Sequence, residues 1–537
     1  MVSLQDTDSG FYGNSNTGRP EQDEDLDLSQ SIKVEVLPLP RDVNQDHHVK
    51  DKNGKPTGYF TNPWPSWKQA GLTDIYSAFT KGAALKSPPK PGEEETFEEN
   101  GRLVKVLKPD WQGEERQMDK TELGVTAVPG ARVCWLGHAS VLVQIPRKKL
   151  AEKEEGEGAD EQLLQEAQDE DEMVGIIFDP IFSKRFVAYR MTISGTDDHL
   201  DYNTIMDLWR VNDERIHFFV ALGVKAWFLS CGIPESNIHE MDWHQESIVT
   251  LASEHTSHRK YRDDPSGYPP LRSRKQESSA KRSSMPGGFL DSDDEDSATL
   301  QVASSPYGVD SGNSSEERVT LLNSSDARTT SRNSAAKTRY APLTLKVVCT
   351  PAQHRSGRGV LDQMKTLWAS WVVGVVNEEA QGSSSEQGFR EQDDFKVFFG
   401  GDTGYRYAGV DENDRNRFIC PAFEDIARRY GPMDLCLLPI STGSSLSFLR
   451  NLIGLSLHHY TLTSAQHSNA WDAIQIAKLM GARRTVAIHH STFSPEDESR
   501  GCVYEFVNIA RDEDMSQNWQ EEGCFLVADI GELLEVF

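Results

Sequence analysis

Short apolar runs that end on ionisable residues constrain this chain more than any other feature of its 537 residues. Such runs lie at 132–145, 174–178, 343–349, 395–399, 433–438, 484–488 and 524–530, with the length and side-chain content of strands. Helical patterns lie between some of them, at 201–209, 422–429 and 470–480. Strands alternating with helices predict a layered α/β domain rather than a helical bundle or an all-β sandwich.

Three hydrophilic stretches, 147–173, 257–339 and 377–394, interrupt these blocks and read as surface insertions. Residues 1–57 are polar and acidic, so they are expected to be disordered, with one folded domain over 58–537. The formal net charge of -28 argues against a nucleic-acid partner, since phosphate neutralisation needs a basic surface. Seven scattered cysteines without a CxxC pair read as reduced, buried thiols. No apolar run approaches about 18 residues, so no membrane-spanning helix is predicted. The acidic N-terminus resembles neither a signal nor a transit peptide, so a cytoplasmic location is expected.

The residues just beyond the strands carry the chemistry. The run at 343–349 leads into Thr-Pro-Ala-Gln-His, ending at His354. The run at 395–399 leads into Gly-Gly-Asp-Thr-Gly-Tyr, with Asp402 just past its end. The run at 484–488 leads into His489 and His490. Open α/β sheets collect functional groups at strand ends, where loops converge on a rigid support. Imidazole and carboxylate donors at three such ends are the donor types of a zinc site. Each residue alone also fits a structural role; an Asp before Thr-Gly is a common turn former.

Eight blocks succeed one another in order: Asn-Pro-Trp-Pro-Ser-Trp (62–67), Trp-Leu-Gly-His-Ala-Ser (135–140), Phe-Asp-Pro (178–180), Asp-His-Leu-Asp-Tyr (198–202), Thr-Pro-Ala-Gln-His (350–354), Gly-Asp-Thr-Gly-Tyr (401–405), Pro-Ala-Phe-Glu-Asp (421–425) and Ile-His-His-Ser-Thr-Phe (488–493). The succession resembles the N-acylphosphatidylethanolamine-hydrolysing phospholipase D family of the metallo-β-lactamase superfamily, over most of 58–530. The resemblance implies a four-layer αβ/βα sandwich and zinc-dependent hydrolysis of N-acylphosphatidylethanolamine to an N-acylethanolamine and phosphatidic acid. It implies one or two Zn2+ per chain and attack on phosphorus by metal-activated water, without a covalent protein nucleophile.

Position by position, the resemblance implies that His354, Asp402 and His489 are metal ligands, with Asp402 bridging. Asp198 and His199 match the end of the His-x-His-x-Asp-His motif, so Asp198 and Asp402 are also the candidate catalytic carboxylates. His467 matches a histidine near the substrate phosphate. His138, in the first hairpin, and His244, in the stretch 239–244, are expected to be structural. The implied partner is a phospholipid at a membrane surface, with the protein peripheral on an intracellular membrane and a homodimer compatible with it. A mean hydropathy of -0.57 then requires a local apolar groove.

The motif is incomplete. Ser194 and Thr196 occupy its first two histidine positions, and hydroxyls cannot replace imidazole nitrogens. The span from Pro180 to Asp198 is also shorter than the family pattern. Either an internal segment is missing, or this is a paralogue with a damaged or single-metal site, in the extreme a lipid-binding protein without activity. A metal-dependent hydrolase of another ester is a further reading, because one fold hosts many chemistries.

Overall fold

The computed structural model describes residues 32–68, 104–109, 130–147, 149–150, 172–182, 200–212, 215–252, 339–357, 362–376, 395–407, 418–441, 463–493 and 496–536. Along the chain, β1 (Ile32–Val36) is followed by the hairpin of β2 (Arg132–Gly137) and β3 (Ser140–Arg147), then β4 (Glu172–Phe178). Two helices, α1 (Tyr202–Val211) and α2 (Lys225–Ser230), precede β5 (Glu246–Leu251). Next come β6 (Leu343–Thr350), β7 (Ser370–Val375), β8 (Phe395–Phe399), α3 (Ala422–Tyr430) and β9 (Leu435–Pro439). Then follow α4 (Ala470–Leu479), β10 (Arg484–Ile488), α5 (Glu496–Asp512), β11 (Cys524–Leu526) and β12 (Leu533–Glu535).

The larger sheet has eight strands in the order β1-β5-β6-β7-β8-β9-β10-β11, and the smaller has four in the order β12-β2-β3-β4. Pairing in the large sheet is antiparallel from β1 to β8 and parallel from β8 to β11. The two-residue period of a strand explains the layers. Leu345, Val347, Val397, Phe399, Leu435 and Leu437 point into one core shared with Val133, Trp135, Val141 and Val143 of the small sheet. Phe178 and Phe399 stack across it at 4.7 Å. The alternate residues Val348, Phe398, Cys436 and Leu438 face a second core with Phe423, Ile474 and Phe506 of α3, α4 and α5. Because both faces are covered, β6, β8 and β9 are buried throughout, which is why they read as mostly apolar runs.

A parallel pair, Phe218–Ala221 with Ile238–Met241, shows the same alternation. Phe219 and Ala221 join the inter-sheet core, while Phe218 and Val220 pack with Ile205 and Phe228 of α1 and α2. Helices therefore lie outside both sheet layers, which is the αβ/βα sandwich expected. Among the described residues, no helix is long and apolar enough to cross a membrane.

The expectation that residues 1–57 are disordered is corrected from residue 32 onward. Ile-Lys-Val-Glu-Val alternates too briefly to stand out in acidic surroundings, yet Ile32 and Val34 pack on the core and β1 pairs fully with β5. The domain therefore begins before residue 58.

The three hydrophilic stretches fall largely outside the described residues, but their ends are informative. Arg147 pairs with Glu172, Leu251 with Leu343, and Val375 with Phe395. Each stretch is thus bracketed by directly opposed residues of an antiparallel pair. Closing a shorter loop costs less entropy, by only about 0.6 kcal/mol per halving of its length. Replacing 262–336 with a short Gly/Ser linker is therefore expected to leave the cooperative thermal transition in place and its midpoint unchanged or slightly raised. Loss of that transition by differential scanning calorimetry would place this segment in the core.

Candidate metal centre

The ligand-type residues converge at the ends of β6, β8 and β10. His354 follows β6, and its Nδ1 lies 2.7 Å from the Arg355 carbonyl. A carbonyl can only accept, so Nδ1 carries the proton and Nε2 presents a lone pair. That Nε2 is buried, has no hydrogen-bond partner among the described residues, and lies 3.3 Å from Asp402 Oδ2. Two acceptors facing each other in a buried place repel unless a cation lies between them. Donors held about 2.0–2.1 Å from one tetrahedral ion are about 3.3 Å apart, so the spacing fits a shared metal.

His489, at the end of β10, brings its Nε2 to 4.0 Å from the same carboxylate oxygen. His467 enters from the turn before α4: its ring stacks on His489 at 5.3 Å and meets His354 edge-on at 5.1 Å. Ligand atoms of His354, Asp402 and His467 lie within 4.8 Å of one another. His467, expected beside a substrate phosphate, thus lies next to the candidate ligand atoms of His354 and Asp402.

Backbone ties hold these loops in register. Gln353 N donates to Thr403 Oγ1 at 2.8 Å, and Gly404 N to the Gln353 carbonyl at 2.8 Å. Ser468 donates to the Thr403 carbonyl through both its N–H (2.9 Å) and its hydroxyl (2.7 Å). Gly404 is required here, since a Cβ would sit 2.5 Å from the Ala465 carbonyl oxygen.

His138 joins the cluster from the turn between β2 and β3, with its ring 4.4 Å from that of His489. Its carbonyl accepts from His489 N at 2.8 Å, and its N–H donates to Thr492 Oγ1 at 2.6 Å. His138, His489, Ser491 and Phe493 all have φ between 50° and 59°. Left-handed backbone at non-glycine residues is costly, and such strain concentrates at functional sites. The sequence points to a structural His138, and the structure sets its ring against His489 at the edge of the candidate centre. His490 instead stacks on Trp135 at 4.4 Å, and His244 lies 3.2 Å from the Tyr430 hydroxyl and 3.4 Å from Asp425. Burial holds the His244 imidazole down to about 4, so it is neutral at pH 7 and structural as expected.

Asp198 and His199, the remaining expected ligands, lie outside the described residues, as do Ser194 and Thr196. The donors in view, imidazoles and one buried carboxylate, suit zinc or another borderline divalent ion.

Residues 306–490 match the family model described as a beta-lactamase superfamily domain, and His354, Asp402, His467 and His489 all lie within that span. That span carries a beta-lactamase superfamily domain. The chain is 24% identical over 197 residues to N-acyl-phosphatidylethanolamine-hydrolyzing phospholipase D 1 of Caenorhabditis elegans, a match covering 36% of this chain and 41% of that protein. An uncharacterized protein of Mycobacterium tuberculosis is 38% identical over 96 residues, covering 18% of this chain and 17% of the relative. The chain thus spans less than half the length of these relatives. Igni18, a metallo hydrolase from Ignicoccus hospitalis, is similar in structure at 13% identity and a TM-score of 0.31, covering 75% of this chain and 97% of that one. CmlA, a diiron β-hydroxylase from Streptomyces venezuelae, is similar at 12% identity and a TM-score of 0.33, covering 79% and 60%.

Proposed function

We propose that this chain is a zinc-dependent phosphodiesterase of the phospholipase D type that cleaves N-acylphosphatidylethanolamine to an N-acylethanolamine and phosphatidic acid. The observation that carries the reading is the buried pair of acceptors, His354 Nε2 and Asp402 Oδ2, 3.3 Å apart with a locked tautomer on the histidine. The ordered blocks and the nematode relative supply the substrate class. A divalent ion held there supplies Lewis acidity, lowering the pKa of water and polarising a phosphoryl oxygen. His354, Asp402, His467 and His489 would hold it, with Asp198 and His199 as further ligands. His138, whose ring is tilted against that of His489, would orient a substrate oxygen or pass a proton at its ring nitrogen. Phe493, 48% exposed, touches His138 edge-on at 5.3 Å and gives the rim of the centre an apolar contact suited to a lipid chain. The protein would work at a membrane surface, peripheral on an intracellular membrane and compatible with a homodimer.

A second reading rests on Ser194 and Thr196, which remove two imidazoles from the motif. Zinc then binds at about one equivalent per chain, since three or four ligands are needed for each ion. The test compares zinc-loaded protein on detergent-dispersed N-acylphosphatidylethanolamine with a soluble phosphodiester and soluble esters, alongside metal content by mass spectrometry. Phosphatidic acid release well above soluble-ester hydrolysis supports the proposal. Turnover of a soluble ester alone would reassign the substrate. Bound zinc without any turnover would leave a lipid-binding paralogue.

A further inference from the structure

The segment ahead of the Asn-Pro-Trp block does more than lead into the domain. His47 Nε2 lies 2.6 Å from Asp242 Oδ1, and His48 Nε2 lies 2.8 Å from Asp242 Oδ2. Oδ1 also accepts from Trp243 N at 2.8 Å, and Gln45 Nε2 lies 3.4 Å from Oδ2. These three ionisable residues are of metal-ligating type, but the distances decide otherwise. Two donors on one tetrahedral ion would stand about 3.3 Å apart, as His354 and Asp402 do, whereas 2.6 and 2.8 Å are proton-sharing contacts. Asp242 is a carboxylate hub, and it fastens a chain segment almost two hundred residues upstream.

That segment continues toward the metal centre. The His47 carbonyl accepts from Thr61 N at 2.9 Å, and Phe60 N donates to the Met364 carbonyl at 2.8 Å. His47 stacks on Trp243 at 4.2 Å, and Trp64 stacks on Trp243 at 5.3 Å. Asn62 Nδ2 then donates to the carbonyl of His354 at 2.7 Å. Ser66 donates to Gln353 Oε1, whose amide nitrogen donates onward to the Ala465 carbonyl at 3.0 Å. Asn62, Ser66 and Gln353 are all buried. At the other end, Arg429 of α3 pairs with Asp42 at 2.7 Å.

We infer that residues 42–66 form a strap that positions the His354 and His467 loops for metal retention, with Asn62 and Ser66 as its positioning residues and Asp242 as its anchor. The inference rests on reading His354, Asp402 and His467 as a metal centre. Its logic is that a ligand loop without regular secondary structure keeps its geometry only if its main chain is held, and groups behind ligands change metal affinity about 10–100-fold.

The test is zinc release into a chromogenic chelator, with the melting temperature of the chelator-stripped protein measured in parallel. Asn62→Ala and Ser66→Ala are expected to release zinc about 10–100-fold faster, with the metal-free melting temperature nearly unchanged. Ser66→Thr, which keeps the hydroxyl, should restore slow release. Asn62→Ala added to His354→Ala should give no further acceleration, because the route runs through His354. Wild-type release rates in both alanine variants would overturn the strap. So would a metal-free transition lowered in step with release, which would assign these residues to the fold instead. Failure of the wild-type protein to bind zinc at all would instead sink the metal-centre reading on which the strap rests.

Discussion

Asp402→Ala should lower turnover by at least about a thousandfold, which corresponds to about 4 kcal/mol of lost transition-state stabilisation. The same change should strip the protein of zinc. Asp402 is buried, lies 3.3 Å from His354 Nε2 and 4.0 Å from His489 Nε2, and is the carboxylate toward which the cluster turns. Removing it deletes both a ligand and the negative charge that compensates a divalent ion. Turnover and zinc content are two separate readouts, and both should fall. Full activity with full metal content in the variant would remove Asp402 from the centre.

Asp472→Ala should cost about 3–5 kcal/mol of folding stability, the scale for breaking a buried ion pair by removing one partner. Asp472 Oδ1 receives Arg406 Nε at 2.7 Å, and both side chains are almost completely buried. The Arg406 guanidinium also lies over the Trp471 ring at 4.8 Å, so it cannot swing out to water without giving up that contact. Asp472 is in addition the N3 residue of the capping box that starts α4, where it and Asn469 satisfy each other's backbone N–H groups. Loss of a cap adds about 1 kcal/mol. The pair ties the Asp402 loop to the helix that follows His467, so zinc affinity should fall together with stability. Denaturant unfolding measures the loss. Arg406→Ala/Asp472→Ala should recover part of it, since the buried charge is then gone from both sides. A cost below about 1 kcal/mol in the single variant would show that water reaches Arg406 and that the pair is not a buried one.

Much of this was legible in the residues themselves. β6, β8, β9 and β10 stand out because strands covered on both faces are mostly apolar, and His354, Asp402 and His489 stand out because they follow those runs at strand ends. Other elements were hidden for physical reasons. β1 is an edge strand of five residues whose Lys33 and Glu35 face solvent, so it resembles the acidic segment around it until β5 is seen beside it. β7 is a buried apolar run whose signal the hydrophilic stretch at 377–394 cuts short. The two histidines of the stretch 239–244 part company: His239 stacks on His217 while His244 turns to α3.

The sequence by itself determined which loops carry imidazole and carboxylate groups, and that those groups follow strands, because apolar periodicity and strand-end chemistry are local properties. Only the tertiary structure decided that His138 and His467 join His354, Asp402 and His489, and that Asn62 and Ser66 stand behind them. Those meetings depend on strand order. Parallel pairing of β8, β9 and β10 sets the ends of β8 and β10 on the same edge of the sheet, and packing of the small sheet brings the β2–β3 turn onto the His489 loop. A side chain's reach is a few ångströms, whereas its partner lies hundreds of residues away. The contact is therefore specified by the buried core that aligns the sheets, and by no stretch of sequence near either residue.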